Sequence, residues 1–324
     1  MKRLLHSLVA IGVALGLAAH APLASAQNFP TKPIKVMVVF PAGGTSDKIA
    51  RVVSQKLGEN IGQSVVVENR AGANGIIGTD VVAKSAPDGY TLLMAPSGHA
   101  INNSLNPQVP YDPVKDFQML TLIGTVPMVA VVNEKVPARN VKEFIELAKS
   151  KPGEIRYGSG GPGGSNHLAV ELFSTMAGIK MIHIPYKGDT PAIADLLGGQ
   201  YEMIFLNIPA ALPLVKQGRV RAIGITSKER SPLLPDVPTI AETLPGYEAG
   251  SWHGFFAPAG VPAPIVAYLS SELRKAIYAP SVLEVLKNDG VTVVASSPDE
   301  FTAFLKQEID KWAQIIKTAN VKLQ

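Results

Sequence analysis

VMVVFPAGGTSDKIAR, Val36 to Arg51, is the stretch on which the reading of this 324-residue chain turns. Its unbroken apolar run, Val36 to Phe40, has the look of a strand buried on both faces, and it stops at Pro41-Ala42-Gly43-Gly44. Behind Thr45, Ser46 and Asp47 an amphipathic pattern starts at once, with Ile49, Ala50, Val52, Val53 and Leu57 as its apolar side. The order is strand, glycine turn, helix. Two glycines leave no side chain over the turn, so the first amide N–H groups of the helix point into open space and favour an anion. The plainer alternative is that Ser46 or Asp47 caps those amides and the turn is only a turn.

Outward from that stretch, strands and helices alternate. Ile34 to Phe40, a helix over Asp47 to Ile61, Ser64 to Glu68, a helix around Gly75 to Lys84, the Asp88-Gly89 turn and Tyr90 to Ala95 read as strand–helix–strand units, which imply a parallel sheet covered on both faces. Pro96 to Phe117 reads as looser, and Met119 to Val132 as one long extended stretch interrupted at Gly124 and Pro127. Asn140 caps a helix ending near Lys149, and Ile155 to Tyr157 leads into Gly158-Ser159-Gly160-Gly161-Pro162-Gly163-Gly164-Ser165, followed by a helix over Asn166 to Met176. This is strand, glycine turn, helix a second time. Met181 to Tyr186, a helix opened by Thr190-Pro191, Tyr201 to Ile208, a helix over Pro209 to Lys216 and Val220 to Thr226 complete a second α/β unit. Ser231 to Gly250 holds Pro232, Pro235, Pro238 and Pro245 and reads as a connection. Trp252 to Ala257 is β-like, Pro262 to Tyr278 helical and Val291 to Ser296 a strand. Ser297-Pro298-Asp299-Glu300 is a capping box for a helix to about Thr318.

The N-terminus has a separate meaning. Lys2 and Arg3, the apolar run Leu4 to Ala19 and the small residues Ala24-Ser25-Ala26 have the layout of a secretory signal peptide, so residues 1–26 are set aside and the mature chain is expected in the periplasm. A membrane anchor would need about 20 apolar residues, and His20 and Pro22 interrupt this run first. Without Lys2 and Arg3 the chain has 28 basic and 26 acidic residues, with no dense Lys/Arg run, a balance that does not point to nucleic acid. It has no cysteine, which excludes disulfides and thiol or cysteine–metal chemistry.

Length predicts two domains. If Met119 to Val132 and Ser251 to Ala257 both pass between them, one domain comprises residues 27–125 plus 250–324 and the other 126–249, joined by a hinge crossed twice. Open α/β sheets bind ligands at the carboxyl ends of their strands. Each domain offers one glycine turn there, Pro41 to Asp47 and Ser159 to His167, and a ligand gripped by both would be held from two sides. A helix end alone contributes about 0.3–1 kcal/mol. Four to six hydrogen bonds to a charged group at about 1.5–3 kcal/mol each, less ordering costs, reach the roughly 8 kcal/mol of micromolar binding.

The ordered set FPAGGTSDKIAR (Phe40 to Arg51), VVVENRAGANGIIGTD (Val65 to Asp80), APDGYTLLM (Ala86 to Met94), YGSGGPGGSNHLAVELF (Tyr157 to Phe173), PYKG (Pro185 to Gly188), LLPDVPTIAE (Leu233 to Glu242) and WHGFFAPAGVP (Trp252 to Pro262) resembles the Bug/TctC receptors. These are the periplasmic solute-binding components of tripartite tricarboxylate transporters. The resemblance runs over essentially the whole mature chain. It implies a type II periplasmic-binding-protein fold, two α/β domains joined by a hinge with a ligand cleft between them, and no enzymatic activity, cofactor or metal. Its ligand would be a small organic carboxylate: a di- or tricarboxylate or an aromatic acid. Its partners would be the membrane permease subunits of such a transporter, and the receptor itself would be a monomer. The residues it assigns to the ligand are Phe40, Pro41, Ala42, Gly43, Gly44, Thr45, Ser46 and Asp47 in the first turn and Ser159, Gly160, Gly164, Ser165, Asn166 and His167 in the second. Ser97, His99, Tyr186, Lys187, Thr190 and Asn207 would line the cleft. Two departures from the family pattern stand out: Leu206 precedes Asn207 where many relatives have Asp, and Asp189 follows PYKG where a small residue is common. A carboxylate there should repel a second ligand carboxylate unless it points away or recruits a cation.

Two enzyme readings compete. Gly158 to Gly163 fits G-x-G-x-x-G between a strand and a helix, but no acidic residue closes the next strand at about 20 residues. A secreted α/β hydrolase acting on a small carboxylate or ester is the alternative. Ser97 and Ser165 each precede a histidine by two residues, His99 and His167, yet positions two apart on a helix do not face each other, and no G-x-S-x-G elbow is present. His99, His167 and His253 are expected either as hydrogen-bonding groups in the cleft or as solvated loop residues, His183 as a core or rim residue, and Trp252 as packing at the hinge.

Overall fold

The computed structural model describes residues 29–319 and 321, so the leader read over residues 1–26 lies outside the described residues. The chain begins with β1 (Ile34–Val38), α1 (Thr45–Ile61), β2 (Val65–Asn69), α2 (Ile76–Ala83), β3 (Thr91–Pro96), α3 (Gly98–Leu105) and β4 (Phe117–Val126). It continues through β5 (Met128–Asn133), α4 (Val141–Ser150), β6 (Arg156–Ser159), α5 (Ser165–Ala177), β7 (Ile182–Pro185), α6 (Asp189–Gly198), β8 (Met203–Asn207), α7 (Ile208–Lys216) and β9 (Val220–Ile225). Last come β10 (Ser251–Pro258), α8 (Ala263–Ile277), α9 (Pro280–Asn288), β11 (Thr292–Val293) and α10 (Pro298–Thr318).

These strands form two sheets, a six-stranded one in the order β11-β4-β10-β3-β1-β2 and a five-stranded one in the order β7-β6-β8-β5-β9. In the first, β2, β1 and β3 are parallel and β10 runs antiparallel between β3 and β4. In the second, β7, β6 and β8 are parallel and β5 runs antiparallel between β8 and β9. Each sheet therefore takes its antiparallel strand from the chain arriving out of the other. The exchange is made at Pro127, between β4 and β5, and again between β9 and β10. Proline has no N–H to continue a ladder, which is why the long extended stretch divides there. Thr226 fastens the crossing: its Oγ1 accepts from Met128 N at 2.7 Å, and its own N–H donates to Met128 O at 3.0 Å.

Strand residues alternate between two apolar layers, as sheets covered on both faces require. In the first lobe Val36, Val38 and Leu92 face Ile49, Val53 and Leu57 of α1 and Leu269 and Leu273 of α8, while Met37, Leu93 and Phe256 face Ile101 of α3 and Phe301 and Leu305 of α10. In the second, Val129, Val131 and Leu206 pack on Ala192, Leu196 and Ala211 of α6 and α7, and Ala130, Met203 and Phe205 on Phe144, Leu168 and Phe173 of α4 and α5. Trp252 is buried; its Nε1 donates to Glu308 Oε2 at 3.0 Å, beside Trp312 Nε1 at 2.8 Å on the same oxygen.

Four expectations need correction. Pro96 to Phe117 is not loose throughout, because α3 forms over Gly98–Leu105. Its weak helix formers are outweighed by burial of Ala100 and Ile101 and by side-chain bonds, Asn102 Nδ2 to Asn74 O and Asn103 Nδ2 to Tyr111 O. Gly124 does not end β4, which runs on to Val126, but the β4–β10 ladder shifts register there, His253 facing Gly124 and Gly254 facing Leu122. The helix expected to open at Thr190-Pro191 starts at Asp189, with Gly188 at its N-cap. The strand read over Val291 to Ser296 is only β11, and α9 before it was not anticipated.

Candidate ligand-binding site

Six chain segments gather at the carboxyl ends of parallel strands, three per sheet: the connections after β1, β2 and β3 in one lobe and after β6, β7 and β8 in the other. The first turn, Pro41 to Gly44, is exposed, and Phe40 before it is half-buried. Gly43 has φ +83° and nothing within 4 Å of where a Cβ would stand, so the turn is both left-handed and open. Gly44 is the N-cap of α1 and supplies no side chain, leaving the leading amides of the helix without a cap. Asp47 does not fill that role. Its carboxylate turns back to accept from Gly43 N at 2.9 Å, from Asn69 Nδ2 at 2.9 Å and from Arg51 Nε at 3.0 Å. Burial by itself would raise the carboxyl, but these hydrogen bonds and the Arg51 charge together hold it below its ordinary value. Ser46 is buried and its Oγ lies 3.0 Å from His253 Nε2. The turn is thus braced from behind by Asp47, Asn69 and His253 while its front stays free.

The second turn follows the same plan. Gly164 is the side-chain-free N-cap of α5. Asn166 Oδ1 accepts from His167 N at 2.9 Å, and Gly163 N donates to His167 Nδ1 at 3.0 Å. Ser159 is buried, and its Oγ lies 2.6 Å from His183 Nε2. His167 and His183 stack at 3.8 Å between ring centroids, with Tyr157 stacked on His183 and its hydroxyl donating to Glu171. Burial and then the neighbouring His183 push His167 down to about 3; burial pushes His183 down to about 4. Both rings are neutral supports under the turn.

Of the remaining candidates, Ser97 is buried at the start of α3, and Lys187 and Thr190 are exposed beside Tyr186, whose hydroxyl donates to Asp195 at 2.7 Å. Burial and Asp195 push Tyr186 up to about 12. Asn207 ends β8, with a buried Oδ1 that has no partner among the described residues. His99 is not a loop residue facing solvent: it is 2% exposed, ringed by Tyr111, Phe117 and Phe256, with Nε2 2.9 Å from Pro113 O. Reasoning from residue types passed over Asn69 and Arg51, which hold Asp47. Their signal is position, since Asn69 ends the strand beside β1 and Arg51 follows Asp47 by one helical turn.

Chemically the arrangement is a set of open donors without a reacting group. Two serine–histidine contacts do form, Ser46–His253 and Ser159–His183, but they differ from the pairs weighed in the sequence. Among the described residues no carboxylate is hydrogen-bonded to the second nitrogen of either histidine, and His253 Nδ1 is buried without a partner. Surface cavities of about 540 Å³ along α8 and about 310 Å³ beside α4 lie away from both turns.

Two α/β lobes that exchange strands twice, each with a glycine turn and an uncapped helix at the carboxyl end of its parallel strands, define a hinged binding protein rather than an enzyme. The tripartite tricarboxylate transporter family receptor profile matches residues 49–321, and the chain belongs to this family. The chain is 39% identical over 320 residues to the protein BugT of Bordetella pertussis, covering 98% of each. The structure of the periplasmic binding protein BugD superposes with a TM-score of 0.80 at 35% identity, covering 91% of this chain and all of that one. R. palustris Rpa4515, solved with adipate, superposes with a TM-score of 0.83 at 36% identity over 91% of this chain and 99% of its own. The fold is accordingly the type II periplasmic-binding-protein fold expected from the motifs, and the chain is a non-enzymatic receptor; the hydrolase alternative is not supported.

Proposed function

We propose that this protein captures a small organic carboxylate between its two lobes in the periplasm and presents it, as a monomer, to the permease subunits of a tripartite transporter. The lobes are residues 27–125 with 250–324, and residues 126–249, hinged at Val126–Pro127 and Ala249–Gly250. The ligand's carboxylate is held by Phe40 to Asp47 from one side and by Ser159 to His167 from the other, with Ser97, Tyr186, Lys187, Thr190 and Asn207 around it. The observation that carries this reading is the matched pair of side-chain-free N-caps, Gly44 and Gly164, one on each sheet. Adipate in the relative Rpa4515 supports a carboxylate as the guest.

Calorimetric titration with mono-, di- and tricarboxylates and aromatic acids tests it. One compound should bind with a stoichiometry of one and be recovered unchanged; turnover of any of them, or saturation by none, overturns it.

A further inference from the structure

Exposed charge is distributed unequally between the two ends of the strands. Along the six connections at the carboxyl edge, with the first turn of each helix they enter, the charged side chains are Lys48, Arg70 and Lys187 against Asp47 and Asp189. The three cations are exposed, and none is ion-paired among the described residues. Both carboxylates are turned inward. Asp47 is buried beside Arg51, 2.9 Å away, and Asp189 is half-buried over Gly160, where its Oδ1 accepts from Asn166 Nδ2 at 3.0 Å. Glu68, the last carboxylate of β2, is answered by Lys35 at 2.8 Å.

The amino edge of the same sheets carries both signs. Lys32 pairs with Asp88 at 3.3 Å and Arg156 with Glu202 at 2.8 Å, and the cavity beside α4 is lined by Lys135 and Lys151 together with Glu154 and Glu202. The unanswered positive charge therefore stands at the edge that holds the glycine turns, where the side-chain-free N-termini of α1 and α5 add partial positive charge of their own. A charge acts through about 8 Å of solution at physiological ionic strength. An exposed cation thus acts on a solute that it never touches.

We infer that this edge is a capture field: Lys48 and Arg70 on one lobe and Lys187 on the other concentrate anionic solutes at the turns before any contact is made. The field sets the rate of encounter and leaves the residence time to the turns, because charges at the rim of a site act mainly on association. It selects by sign alone, enriching anions and depleting cations whatever the solute's length. This deepens the solute-capture reading above and rests on it. Steering of this kind raises association by about 10- to 1,000-fold, and so few cations belong at the lower end of that range.

The test reads the field by NMR, from the relaxation of backbone amide protons by two soluble nitroxides of the same ring, one bearing a carboxylate and the other an ammonium group. Both are used where their effect rises linearly with concentration. At about 0.01 M ionic strength, where charge reaches roughly 30 Å, the anionic probe should relax Gly43, Gly44 and Gly164 about threefold or more faster than the cationic one. Gly89, at the amino edge, should show a ratio near one. The double variant Lys48→Gln, Arg70→Gln should lower the ratio at Gly43 and Gly44 about twofold or more and leave Gly89 unmoved, which also reports an intact fold. Salt at about 1 M should bring every ratio to one. Equal ratios at the turns and at Gly89, or a ratio at Gly43 unchanged in the variant, overturn the inference. The nitroxides need not be ligands, so the two failures are told apart. Flat ratios with saturable carboxylate binding overturn the capture field alone, and high ratios with no carboxylate bound overturn solute capture.

Discussion

Asp47 shows how a residue can serve an anion site without touching the anion. Its carboxylate is held by Gly43 N, Asn69 and Arg51, and it fixes the turn from behind. Asp47→Ala removes that brace and returns Gly43 to the freedom of an unrestrained glycine. Affinity should fall about tenfold, a loss of roughly one hydrogen bond to a charged group, and by the same factor for every ligand, as titration of a mixed panel will show. The buried histidines set a second expectation. His99, His183 and His253 are each lowered to about 4, and His167 to about 3, chiefly by burial. Their unfolded value is about 6.5, so between pH 6.5 and 4 the unfolded chain binds more protons than the folded one. Stability is then full above pH 6.5 and lost as pH falls, each histidine contributing a slope of about 1.4 kcal/mol per pH unit inside its window. Glu171 and Asp189, raised by burial, act in the opposite sense at the acid end. Melting temperatures across that range should fall steadily, and less steeply in His99→Gln.

At the scale of the element, α10 was the most legible helix and is the one with the widest reach. Its capping box forms as the sequence predicts: Glu300 N donates to Ser297 Oγ at 3.3 Å, and Ser297 N to Glu300 Oε2 at 2.8 Å. Hidden from any local pattern is Glu308, mid-helix, whose Oε2 receives both indole N–H groups of Trp252 and Trp312 while Lys311 reaches Oε1 at 2.7 Å. Glu308→Ala leaves two buried donors unpaired, each costing about 1–3 kcal/mol. Urea denaturation should show a loss of roughly 2–5 kcal/mol, with Glu308→Gln recovering about half through its remaining carbonyl. The helix α3 makes the opposite point. Gly98, Asn102 and Asn103 argue against a helix locally, and burial of Ala100 and Ile101 together with the bonds of Asn102 and Asn103 to the Asn74 and Tyr111 carbonyls reverses that preference.

For the whole molecule, strand exchange at Pro127 and before β10 confines relative movement to two adjacent crossings, which are stitched through Met128 and Thr226. A ligand that bridges the turns favours the closed arrangement only by its differential contacts with it. Small-angle scattering should show a smaller radius of gyration on saturation. At a ligand concentration one hundred times the Kd, stability should rise by about 2.7 kcal/mol. Thr226→Ala frees Met128 N, so it should lower stability while leaving the ligand-induced compaction in place.

The sequence by itself determined the alternation of strands and helices, the two glycine turns and the caps at Asn140 and Ser297, because each depends on residues a few positions apart. Apolar period, missing side chains and capping hydroxyls act within one turn or one strand, and their meaning survives without the rest of the chain. The tertiary structure alone decided that one extended stretch becomes strands of two different sheets and that His99 belongs to an aromatic core. It also decided that Asp47 faces the back of its turn and that Asp189 lies over Gly160. Each of those outcomes depends on partners 12 or more positions away in the chain for His99, 22 for the Asp47–Asn69 contact and 23 for the Asn166–Asp189 contact. Burial and long-range hydrogen bonds, which assign these roles, exist only once the chain has closed on itself.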